Sequence, residues 1–109
     1  MNLARVRAGL DFLRLINWKV ASSAQLDISD ASTIKVFGTE FYLESFRLLM
    51  EILGPRAYLA RNSATDVLRG RMEMNFRSLL ILTFGGGTNE IQRDLIAMFG
   101  LGLPRSLRG

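Results

Sequence analysis

The chain has 109 residues, 49% of them hydrophobic, and a net charge of +4, which is enough for one domain with one core and too apolar for a disordered segment. It has neither cysteine nor histidine, which excludes disulfides and thiolate chemistry and removes the commonest general base and metal ligand. No acidic cluster has metal-ligand spacing and no apolar run approaches the roughly 20 residues that span a bilayer, so neither metal catalysis nor a membrane span is expected.

Leu10 to Val20 is interrupted by Asp11, Arg14, Asn17 and Lys19, so no secretory leader follows the basic start. A cysteine-free soluble chain suits a reducing compartment, and a cytoplasmic location is expected. The arginines are scattered from Arg5 to Arg108 with acidic residues between them. That pattern forms no nucleic-acid signature.

The periodicity is helical almost throughout. Leu3, Val6, Leu10, Leu13, Ile16 or Asn17, and Val20 recur at steps of three and four, predicting an amphipathic helix from about Asn2 to Ser23. A polar connection runs to Ser29. The second helix carries the stripe Ile34, Phe37, Gly38, Phe41, Ser45, Leu48, Leu49 and Ile52, with Ser29 or Asp30 as its cap and Gly54-Pro55 as its stop. Gly38 on that stripe is expected to admit a close neighbouring helix. A third helix should start at the capping-box-like Ser63-Ala64-Thr65-Asp66 and run to about Leu82, with Leu68, Met72, Phe76, Leu79 and Leu80 inward. After Gly85-Gly86-Gly87, Thr88 caps a last helix from Asn89 to Phe99 whose buried stripe is Ile91, Leu95, Met98 and Phe99. Gly100 is its expected C-cap, and residues 102–109 form an irregular tail. The fold class is therefore all-α, an up-down four-helix bundle occupying residues 1–109 as one domain.

Most conspicuous side chains have ordinary explanations. Trp18, Phe37, Phe41 and Phe46 are expected in the core or a subunit interface. Met72, Met74 and Met98 are expected to fill the core, and Arg77 to pair with an acidic neighbour. Only Thr83-Phe84-Gly85-Gly86-Gly87-Thr88-Asn89-Glu90-Ile91-Gln92-Arg93 suggests chemistry. Three glycines before a capped helix expose main-chain amides, at Gly87 and Thr88, to an anion. A flexible turn before a well-capped helix is the plainer reading. No lysine follows the glycines in P-loop form, and no βαβ pattern surrounds them.

Gly-Gly-Thr-Asn-Glu-Ile-Gln-Arg, an apolar helix, then Leu-Gly-Leu-Pro-Arg resembles the closing motif of the acyl-CoA dehydrogenase family. Ala31-Ser32-Thr33-Ile34-Lys35-Val36-Phe37 is similar to the family's Ile-Ala-Lys helix. Glu51-Ile52-Leu53-Gly54 is similar in part to its Gln-Ile-Leu-Gly-Gly segment, and Phe76-Arg77-Ser78 sits where the family has an arginine-aspartate pair. The resemblance implies the C-terminal bundle of a flavoenzyme of lipid metabolism that dehydrogenates an acyl-CoA thioester across its α–β bond. It also implies FAD, shared with other domains or a neighbouring subunit, an acyl-CoA substrate, and homo- or hetero-oligomer partners.

Carried over by position, Thr88, Asn89, Glu90 and Gly87 become the flavin contacts, and Gly86 and Gly87 lie near the substrate. The family's usual catalytic glutamate falls at Gly86, so no residue here is nominated as base; Glu90 and Glu51 are expected to serve as contact or surface residues. Glu51 stands where relatives have a flavin-contacting glutamine, and Pro55 where they have glycine. Gly86 with the Leu53-Gly54-Pro55 pattern resembles an actinobacterial branch in which unlike subunits share one active site. The family's N-terminal helical and β domains have no counterpart in these residues. The chain is thus expected to be a fragment that is inactive alone, or a non-catalytic helical oligomerisation module or pseudo-subunit.

Overall fold

The computed structural model describes residues 1–55 and 67–105. Helix α1 spans Asn2–Ala21, α2 Ile28–Leu53, α3 Val67–Leu79 and α4 Asn89–Leu95. A 3₁₀ turn, Leu80–Thr83, extends α3, and a π turn, Ile96–Gly100, extends α4. The all-α, four-helix expectation is what the described residues show, with α2 as the hub. Helices α1, α3 and α4 and the π turn all pack on α2.

Helix α1 ends at Ala21 because the Ser22 and Ser23 hydroxyls both donate to the Lys19 carbonyl and close its last turn. Helix α2 begins earlier than expected. Its cap is Asp27, whose carboxylate accepts from the Ser29 amide at 2.9 Å. Ser29 is instead buried against Gly100, and Asp30 lies inside the first turn. At the other end Gly54, with φ of 69°, stops α2 as expected. The Asn2 side chain donates to Glu51, which places the start of α1 beside the end of α2 and makes the pair antiparallel.

Val6 and Leu13 of α1 and Val36, Leu48 and Met50 of α2 are buried. Phe12 meets Phe37 edge-on at 4.8 Å, and Phe37 stacks on Phe41 at 5.7 Å. The close approach between these helices falls at Gly9 rather than Gly38. A Cβ on Gly9 would lie 2.0 Å from the Phe41 ring, whereas one on Gly38 would meet Leu13 at an ordinary 3.6 Å.

Several residues expected inside are exposed: Leu3 and Leu10 of α1, Ile52 of α2, Leu80 of the 3₁₀ turn, Ile91 and Phe99 at the C-terminal end, and Met74. Three helices packed on one hub leave such outer positions partly open among the described residues. Trp18, 66% exposed, is likewise not a core residue of this chain. Met72 is buried as expected, and Arg77 pairs with Glu73. The capping box at Ser63–Asp66 and the side chain of Leu68 lie outside the described residues. Gly100 belongs to the π turn, whose C-cap is Leu101, and residues 102–105 are irregular.

The two glycines give opposite expectations. G9A should destabilise the chain by about 1–3 kcal/mol through overpacking, outweighing the ~1 kcal/mol that alanine gains in a helix. G38A should be neutral or stabilising. Urea unfolding of both variants checks the pair, and equal effects would contradict this packing.

Candidate functional site

The Gly85–Thr88 turn joins the 3₁₀ end of α3 to α4. Gly86 and Gly87 hold φ of 72° and 97°, a region in which side-chain-bearing residues are strained. The turn is internally bonded. The Gly85 amide donates to the Ile81 carbonyl at 3.1 Å, the Gly87 amide to the Phe84 carbonyl at 3.2 Å, and the Gln92 side-chain Nε2 to the Gly86 carbonyl at 2.8 Å. The Gly87 amide is therefore committed and is not the free donor expected from the sequence. Thr88 and Asn89 stand at the start of α4, where main-chain amides have no intrahelical carbonyl to meet.

Thr88 caps α4 as expected, its hydroxyl accepting from the Ile91 amide at 3.3 Å. Glu90 is exposed. Its own amide, and then the Thr88 hydroxyl, donate to its carboxylate and hold its pKa below the ordinary glutamate range. A carboxylate stabilised in its charged form is a poor proton acceptor near neutral pH, which argues against Glu90 as a substitute base. Gly86, expected from the resemblance to stand where the family has its base, is exposed and has no side chain.

Asn89 lies beneath these residues, only 6% exposed. Its Oδ1 accepts from the Lys35 ammonium at 2.5 Å, and its Nδ2 donates to the Thr39 hydroxyl at 3.2 Å and to Glu40 at 3.3 Å. Lys35 also donates to the Thr83 carbonyl at 3.3 Å. Arg93 adds a second link from α4 to α2 through Glu40 at 2.6 Å. Gly86, Gly87, Thr88 and Glu90 thus share one accessible edge, while the Asn89 side chain is turned inward onto α2.

Sequence reasoning did not assign Lys35, Thr39, Glu40 or Arg93 to the site. One signal was available: Ser32, Lys35 and Thr39 form a polar column at helical spacing on α2. Glu51 lies elsewhere, paired with Arg47 and bonded to Asn2, which fits its reading as a surface residue. Beside the turn, Ile81 and Phe84 are 70% and 69% exposed and give its edge an apolar border. Two open grooves, of about 410 and 360 Å³, lie away from the turn along α1. They share Arg14 and Asn17, with Arg7 and Tyr42 at one end and Trp18 at the other. No helix among the described residues is long and apolar enough to cross a membrane.

Against known proteins, the acyl-CoA dehydrogenase C-terminal domain matches residues 1–101. Acyl-CoA dehydrogenase FadE26 of Mycobacterium tuberculosis is 56% identical over 114 residues, covering 99% of this chain and 28% of the relative. FadE29 of the same organism is 38% identical, covering 94% of this chain and 27% of its own length. Among solved structures, the ChsE4–ChsE5 complex from Mycobacterium tuberculosis aligns with a TM-score of 0.88 at 59% identity, over 96% of this chain and 27% of that one. The Tcur3481–Tcur3483 steroid ACAD aligns with a TM-score of 0.88 at 41% identity, over 96% of this chain and 28% of that one. The chain therefore spans little more than a quarter of the length of the relatives it matches.

The cap and the carboxylate can be read together in one variant. Thr88→Val should cost roughly 0.5–2 kcal/mol by unmaking the cap and should raise the Glu90 pKa toward its ordinary value. Because the folded pKa is depressed, the contribution of Glu90 is complete at neutral pH and is lost as pH falls through that pKa. A carboxyl NMR titration of Glu90 in wild type and variant checks this; an unmoved midpoint would contradict the hydrogen bond.

Proposed function

The chain belongs to the acyl-CoA dehydrogenase family, as its C-terminal helical domain, and on that premise we propose that it forms the C-terminal part of an FAD-dependent acyl-CoA dehydrogenase. The carrying observation is the Gly86–Glu90 edge. It is accessible, internally hydrogen-bonded and anchored to α2, and it falls on the family's flavin-contacting motif.

Bound FAD would supply the hydride acceptor for the substrate's β-carbon. The part of this chain is to hold and orient that group. The main chain at Gly87 and at the start of α4 approaches it without obstruction by a side chain at Gly87. The Thr88 hydroxyl and the Glu90 carboxylate add polar contacts, the carboxylate suiting hydroxyl donors better than phosphate oxygens. Asn89 enters through its main chain, since its side chain is bonded to α2. Gly86 and Gly87 leave room on the thioester side of the edge. Removal of the α-proton falls to a carboxylate supplied from outside these residues, because Gly86 offers no acceptor. The chain alone is therefore expected to show no turnover.

Oligomer packing is the other half of the proposal. Phe12, Leu15 and Trp18 on α1, Ile81 and Phe84 beside the turn, and Phe99 and Leu101 at the C-terminal end are each at least half exposed. The radius of gyration is 17.2 Å, against about 13 Å for a compact chain of some 100 residues. So much open apolar surface suits a component of a larger body. Both similar structures are named as pairs of chains, which supports a hetero-oligomer in which the companion supplies the base.

Co-expression with a family subunit carrying the remaining domains tests this reading. The expected result is a yellow, FAD-loaded complex that oxidises a steroid-derived or fatty acyl-CoA, from a chain that is colourless and inactive alone. A chain that never joins such a partner and never acquires flavin would contradict the proposal. It would leave a helical oligomerisation module as the better reading.

A further inference from the structure

Lys35 lies in the middle of the polar network yet has no carboxylate within ion-pairing distance among the described residues. Its half-buried ammonium bonds only neutral oxygens, the Thr83 carbonyl and Asn89 Oδ1. A partly desolvated cation without a direct ion pair is costly, and an uncharged side chain of similar length would fill the same space. The two acceptors explain its placement. One is the last residue of the 3₁₀ turn before the three glycines, and the other is the first residue of α4 after them. Glycine loses more conformational freedom on ordering than any other residue, so a three-glycine turn depends on what fixes its two ends.

We propose that Lys35 is a positioning residue whose ammonium clamps the two ends of the glycine turn, with Asn89 as the receiving side chain, and so sets the Gly86–Glu90 edge in its flavin-facing geometry. This rests on the flavin reading given above. The clamp works from α2, the element on which the others pack, so the edge is registered against the body of the domain rather than against its own loop. Thr39 completes the hold by accepting from Asn89 while donating to the Lys35 carbonyl at 2.9 Å. The positive charge is also felt at the accessible face, where Lys35 contributes to the lowered Glu90 pKa.

The test compares Lys35→Met, which removes charge and donors, with Lys35→Arg, which keeps both, and with the milder Lys35→Gln. Amide hydrogen exchange is followed on the full 109-residue chain. FAD dissociation and the visible circular dichroism of bound flavin are followed on the co-expressed complex. Lys35→Met and Lys35→Gln should speed exchange at the Gly85 and Gly87 amides by about tenfold or more while α1 amides stay unchanged. They should also loosen FAD at least tenfold and alter its dichroism, and Lys35→Arg should largely restore both. Unchanged turn exchange in the neutral variants would overturn the clamp, as would an equal acceleration across α1. A local acceleration with unaltered FAD binding and dichroism would overturn its positioning role. A wild-type complex that binds no flavin would defeat the flavin reading separately, and the exchange data would still decide the clamp.

Discussion

A single ammonium group joins the two halves of the site. Lys35 reaches from α2 to the carbonyl that ends one helical segment and to the side chain that begins the next. The three glycines between them have no side chains with which to anchor themselves. Beyond its own main-chain bonds, their accessible edge is held from outside the turn, by Lys35 below, by Gln92 from within α4, and by the Arg93–Glu40 pair alongside. Without the Lys35 contact the Thr83 end loses its bond to α2, and the Asn89 end keeps only the longer bonds to Thr39 and Glu40. The exposed Arg93–Glu40 pair is worth at most about 1 kcal/mol and is a weak substitute.

That dependence on α2 runs through the fold. Helix α1 is pressed onto α2 by Val6, Leu13 and the Phe12–Phe37–Phe41 ring cluster, with Gly9 giving up its side chain so that Phe41 can lie against α1. The C-terminal end closes on the other side through Gly100 and Ser29. With three neighbours on one hub, the outer faces of α1, of the 3₁₀ turn and of the C-terminal end carry exposed apolar side chains among the described residues. The open apolar surface and the absence of an acidic side chain at Gly86 therefore point the same way. Both fit the proposal made above, in which the domain lends an edge and a packing surface to an active site completed elsewhere.

Much of this was legible in the sequence. The four helices follow from periodicity, and Thr88 and Gly54 mark boundaries because hydroxyl caps and left-handed glycines have local causes that a short window reveals. The inward faces were harder. Leu10, Ile91 and Phe99 satisfy helical spacing as well as Leu13 does, and periodicity cannot tell a face that meets a neighbour in this chain from one left for another body. The Asp27 cap was missed because Ser29 and Asp30 are equally good capping residues, and only the packing of Ser29 on Gly100 decides among them. Motif resemblance singled out Gly86, Gly87, Thr88 and Glu90, and the structure leaves them along one accessible edge. It did not reveal that the Asn89 side chain and the Gly87 amide are already spent, because their partners, Lys35 and Phe84, are fixed by tertiary and turn geometry.

The most direct measurement is a high-resolution structure of the flavin-loaded complex formed by this chain and a companion subunit. The account predicts that the Thr88–Glu90 segment lies within hydrogen-bond distance of FAD, that Gly86 faces the thioester, and that Lys35 still bridges Thr83 and Asn89 beneath them. A flavin bounded entirely by other residues, with the glycine turn remote from it, would contradict the account.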